Sequence, residues 1–191
     1  MPGERIYPQP IMRQLDLDSL AEISPEEADA GESDGLEGNQ QYRDIRGVTW
    51  DFVAEAIERE QALFDRFAAA ADLDDEAERY AEEIEEAMFP DEDLWGLDIG
   101  VIGAVMALSA LGAITVSSCN AGGFGGRHVE RFPLVAMYLP REIAPEVLAI
   151  AEAADVGLDM LNRGLVRLYG RTDYDLHRFA RVALSRATED S

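Results

Sequence analysis

Residues 99–126 carry no charged side chain, in a sequence otherwise dense in carboxylates. The first part of this run, 99–116, is long enough to cross a bilayer. Gly112 interrupts it, however. Asp91, Glu92, Asp93 and Asp98 stand at its start, and no basic cluster marks a cytoplasmic side. A helix ending near Leu111 at Gly112, then a buried strand over 113–118, explains the run without a membrane. Asp98 stands where an N-cap would. A helix that is apolar all round must be surrounded, so this one belongs at the centre of its domain.

Beyond Ser118 the chain alternates between strand and helix patterns. Residues 119–131 read as a glycine-rich loop and 133–139 as a second apolar strand. A helix over 142–155 buries Ile143, Val147, Ile150, Ala151 and Ala154. Two short strands, 156–161 and 165–169, flank Asn162-Arg163-Gly164, a composition suited to positive φ and a tight hairpin. The last helix, 173–186, buries Leu176, Phe179, Ala180 and Ala183. The expectation for 93–191 is an α+β core domain in the order α-β-β-α-β-β-α, with a mostly antiparallel four-stranded sheet.

The first half divides in two. Residues 1–47 are rich in Pro, Gly, Ser, Gln and acids, and 24–41 offers little to bury, so an acidic, largely flexible arm is expected, with 11–23 as a candidate short docked piece. Residues 48–92 carry two amphipathic stripes. Trp50, Val53, Ile57, Phe64 and Phe67 form one, and Ala77, Tyr80, Ala81, Ile84, Ala87 and Met88 the other, with Pro90 closing the second helix. Glu82, Glu83, Glu85 and Glu86 lie on the opposite face, which predicts an acidic helical hairpin.

Charge bounds the function. The chain of 191 residues has 39 acids against 16 bases, all of them arginine. Up to Asp98 there are 29 acids and 7 arginines, net −22; beyond it there are 10 acids and 9 arginines, net −1. A field of this sign repels nucleic-acid phosphates and anionic membranes and attracts a basic protein partner. Solubility is the plainer account of the same charge. The lone Cys119 excludes an internal disulfide and a four-cysteine zinc site. MPGERIYPQP has no apolar signal core, so a cytoplasmic location is expected.

Chemistry, if the chain has any, concentrates in one loop. Ser118, Cys119, Asn120, Gly122, Gly123, Gly125, Gly126, Arg127 and His128 come directly after a buried strand, where a loop is anchored at its base. Backbone N–H groups freed by the glycines, with the Arg127 fork, would suit a phosphate or carboxylate. The loop lacks a Walker lysine and precedes a strand, so it is neither a P-loop nor a dinucleotide fingerprint, and no cofactor is specified. Cys119 activated by His128, oriented by Asn120 or Glu130, would make a nucleophile. Cys119, His128 and Glu130, with distant His177, are a loosely spaced metal set. Equally, Cys119 can be a small buried hydrophobe and the glycines ordinary turn residues.

Gly96-Leu97-Asp98, Ala104-Val105, Ala107-Leu108-Ser109, Ser117-Ser118-Cys119-Asn120, Phe124-Gly125-Gly126, His128, Glu130 and Pro133-Leu134-Val135 together resemble a group of uncharacterised bacterial proteins. That likeness implies no activity. Over 98–165 the layout is also similar to the tRNA wybutosine-synthesis methyltransferases, where an apolar helix leads to a strand ending in Ser-Ser-Cys and a glycine-containing turn. In that family an arginine closely follows Ser-Ser-Cys, whereas Arg127 comes eight residues after Cys119. The acidic first half is also unsuited to tRNA. Layout, not activity, is what this resemblance implies.

The sequence thus favours a non-enzymatic binding or regulatory protein whose acidic helices engage a basic partner. The alternative is a small enzyme or anion-binding domain built on the Cys119–His128 loop. A third reading, homo-oligomerisation, rests on the Phe and Trp side chains of the accessory helices.

Overall fold

Every side chain from Ile102 to Ser109 is buried in α4 (Ile102–Leu111). Its one polar group, the Ser109 hydroxyl, donates back to the Val105 carbonyl at 2.8 Å, which lets it enter an apolar interior. Gly112, at φ 102°, ends the helix in the left-handed conformation that favours glycine. The computed structural model describes residues 5–86, 96–125 and 130–189. Ala87, Met88 and Pro90 of the expected second stripe lie outside these residues.

Around α4 the chain runs β1 (Arg13–Gln14), α1 (Pro25–Asp34), α2 (Trp50–Ala69) and α3 (Leu73–Glu86) before it. After it come β2 (Ile114–Cys119), β3 (Leu134–Tyr138), α5 (Ala144–Ala153), β4 (Gly157–Met160), β5 (Val166–Tyr169) and α6 (Asp175–Glu189). The fold is α+β. The sheet has five strands in the order β1-β4-β5-β3-β2, which corrects the four-stranded expectation. The additional strand, β1, comes from the N-terminal segment and pairs parallel to β4 at the edge; the other pairings are antiparallel. Two paired residues leave no periodic signature in a sequence.

Register sets the two faces of the sheet. Val135, Leu168 and Leu158 share a row on the face that packs into the main core with α4, α5 and α6. On the other face lie Ala136, Arg167 and Asp159. There Arg167 stacks on Phe132 and Tyr169 and pairs with Asp159 at 2.7 Å.

Residues 5–47 lie along this body. Tyr169 Oη donates to the Pro10 carbonyl at 3.0 Å and accepts the Met12 N–H at 2.9 Å. The Tyr169 ring lies directly over Gly157, where any Cβ would collide with it. In α1, Ser24 Oγ accepts the Glu27 N–H and the Glu27 carboxylate accepts the Ser24 N–H, a reciprocal cap reinforced by Pro25. Ala28, Tyr42 and Ile114 form a small core beneath this helix. In α2, Val53, Ala56 and Ile57 join the main core, while Phe64 and Phe67 enter a separate aromatic cluster. Arg66 links α2 to α3 through Glu76 and Glu83.

Candidate functional site

The glycine-rich loop leaves β2 at Cys119, which is 6% exposed. Its Sγ accepts the Ala121 N–H at 3.4 Å. Asn120 is buried, and both ends of its side-chain amide are engaged. Its Nδ2 donates to the Ile99 carbonyl at 2.9 Å, its Oδ1 accepts the Gly122 N–H at 2.9 Å, and its own N–H donates to Asp98 Oδ2. The Gly123 N–H closes a turn onto the Asn120 carbonyl. The amides of residues 120–123 are therefore all donated within the loop or to the segment before α4. Ala121 and Gly122 take positive φ, 57° and 84°, to make this possible.

The next residues fasten the loop to its surroundings. Phe124 stacks with Phe64, Phe67 and Tyr174 at 5.2, 5.4 and 6.1 Å between centroids. A Cβ on Gly123 would overlap the Asp173 carboxylate, and one on Gly125 would lie 2.6 Å from Ala77 Cβ. Asp173 in turn accepts the Arg5 N–H at 3.0 Å and the Tyr7 hydroxyl at 2.7 Å. Burial and this carboxylate push the Tyr7 phenol up. The Arg5 guanidinium donates to the Gly122 carbonyl at 2.8 Å. Gly126, Arg127 and His128 lie outside the described residues, and so does any pairing of Cys119 with His128. Glu130 is exposed. Among the described residues, no group of three or more His, Cys, Asp or Glu side chains could hold a metal ion.

Two features lie outside the residues that the sequence singles out. The first is Glu60, a fully buried acid. Its Oε1 accepts the N–H groups of Gly100 and Ile102, both at 2.9 Å, and its Oε2 accepts that of Gly103 at 3.2 Å. Oε2 also lies 2.7 Å from His177 Nδ1. Glu60 thus caps α4 from α2, where the sequence pointed to Asp98; Asp98 Oδ2 instead accepts the Asn120 N–H. A carboxylate at a helix N-terminus complements the unpaired N–H groups and the positive end of the dipole. His177 is 5% exposed, and its ring meets Phe64 edge-on at 5.0 Å. A signal for Glu60 was present: it falls on the buried stripe three residues after Ile57 and four before Phe64.

The second feature is a cleft of about 290 Å³ between residues 39–45 and the open edge of β2, reaching Asp98. Asn39 Nδ2 donates to the Val116 carbonyl at 2.7 Å and sets the spacing of the two walls. Ser118 lines this cleft; Asn120, Gly122, Gly123 and Gly125 do not.

Four arginines of the second half have acidic partners outside the helical pair. Arg167 pairs with Asp159, Arg171 with Asp155 and Arg178 with Asp175, while Arg163 reaches Glu37 at 3.7 Å. None of these four pairs with α2 or α3. Among the described residues, no helix is long and apolar enough to cross a membrane.

No family model, curated protein or solved structure matches this chain.

Proposed function

We propose that the chain is a binding or regulatory protein that engages a basic partner across the acidic faces of α2 and α3. One observation supports this reading: among the described residues of α2 and α3, exposed carboxylates outnumber arginines. Asp51, Glu55 and Glu58 on α2 and Asp74, Asp75, Glu78 and Glu82 on α3 are exposed. Arg66 and Arg79 are drawn to Glu76 and Glu83 instead. Crowded like charges raise the free energy of the isolated chain, and a cationic surface relieves that cost. The reaction chemistry of the loop plays no part in this reading.

The test is a pull-down with the full chain and with a Glu55→Gln, Glu58→Gln, Glu78→Gln, Glu82→Gln variant. A basic protein should be retained at low salt, elute as ionic strength rises, and fail to bind the variant. Retention that is indifferent to salt and to the four substitutions refutes the reading.

A further inference from the structure

We infer that the cleft between residues 39–45 and β2 is a binding site for a small oxyanion that also carries a hydroxyl group. This site is separate from the acidic helical faces. Gln41, Arg43, Ser117 and Ser118 line it, and none of these four side chains has a partner among the described residues. All four can donate hydrogen bonds, so the unengaged groups form a donor set suited to a phosphate or carboxylate. Arg43 is the telling member. Nine other arginines, from Arg13 to Arg178, are ion-paired, as expected where acids are in such excess. Arg43, like Arg131 and Arg181, has no carboxylate among the described residues, and of these three it alone stands at the cleft.

The strand is shaped for the same purpose. The pairing of β2 shifts register between Thr115 and Ser117, and Thr115, Val116, Ser117 and Ser118 in succession line the cleft. Bulges of this kind re-aim side chains at edges and beside sites. Among the described residues of the lining, Asp98 supplies the carboxylate, and it already accepts the Asn120 N–H. It would repel a bare anion, so the ligand must bring a hydroxyl donor to that end. The volume of about 290 Å³ is at the small end of ligand sites and holds about ten water-sized groups. A three-carbon hydroxylated phosphate or carboxylate meets each requirement.

The experiment is calorimetric titration of the full chain with glycerol 3-phosphate, glycerate, inorganic phosphate and glycerol. Saturable binding of glycerol 3-phosphate or glycerate is expected, and the tighter of the two identifies the oxyanion. Arg43→Gln should weaken it at least about tenfold, the loss of one charge-assisted contact. Ser118→Ala should weaken it less. Arg181→Gln, which removes an exposed arginine on α6, should leave it unchanged. Failure of both hydroxylated anions to bind at millimolar concentration overturns the inference. So does equal weakening by Arg181→Gln, or inorganic phosphate or glycerol binding as tightly as the best ligand.

Discussion

Glu60 Oε2 and His177 Nδ1 lie 2.7 Å apart in the interior, although 117 positions separate them in the chain. One carboxylate thereby joins α2, the first turn of α4 and α6. Leaving a buried hydrogen-bonding group without its partner costs about 1–3 kcal/mol. Glu60→Ala should lose stability of that order in a urea titration. Glu60→Gln should lose less, since its carbonyl can still accept from Gly100 and Ile102. A midpoint unchanged in Glu60→Ala would show that the cap contributes nothing.

Cys119 is buried and its sulfur is engaged by the Ala121 amide. Its labelling by a thiol reagent should therefore be slow in the folded chain and rise in step with global unfolding as urea is added. Rapid stoichiometric labelling in buffer is the outcome that contradicts this, and it would point to an accessible nucleophile.

Asp173 ties residues 5–7 to the glycine-rich loop. Adding a methyl group at Gly123 would drive into that carboxylate, and overpacking of this kind typically costs about 1–3 kcal/mol. Limited proteolysis should cut the N-terminal segment faster in Gly123→Ala and in Asp173→Ala than in the parent chain. Equal cutting rates in all three would mean that the latch does not hold the segment.

The Tyr42 hydroxyl is buried with no hydrogen-bond partner among the described residues. Burial pushes its phenol up from 10.0 to about 12. A group whose folded value is raised contributes stability that is complete below its unfolded value and lost as pH climbs to the folded one. Stability should therefore fall between pH 10 and about 12, and less steeply in Tyr42→Phe. At neutral pH the same substitution removes an unsatisfied polar group, so it should be neutral or stabilising by about 1 kcal/mol in thermal melts. A marked loss there would reveal a partner for the hydroxyl.

The parts of the fold that were legible depend on local rules. Gly112 stops α4 with a left-handed cap, and the Asn162-Arg163-Gly164 connection takes positive φ at Arg163 and Gly164, 65° and 81°. The order of helices and strands from α4 onward comes from such punctuation and from apolar periodicity. Three features escaped for different reasons. The pairing of β1 is too short to leave a pattern. The start of α1 is spelled out in Ser24-Pro25-Glu26-Glu27, but the acidic composition around it speaks only to what the segment cannot bury. Glu60 stood on the buried stripe, but its role as the cap of α4 was hidden, because local logic assigns a helix cap to the nearest acid, Asp98, while the fold draws it from a distant helix. At the candidate sites, the sequence marked the glycine loop as unusual, and the amides of residues 120–123 are engaged within the loop or by Asp98. The cleft beside it is assembled from residues 39–45, 96–98 and β2, and no one-dimensional spacing brings those together.

The position of Glu60 also governs how the polypeptide can be dissected. By order it belongs with the acidic helices; by what it bonds, it belongs to the first turn of α4 and to α6. A fragment starting at Gly96 would retain three amides and an imidazole whose common acceptor had been cut away. Truncations and fusion junctions should therefore be sited upstream of Thr49, so that α2 travels with the helices it completes.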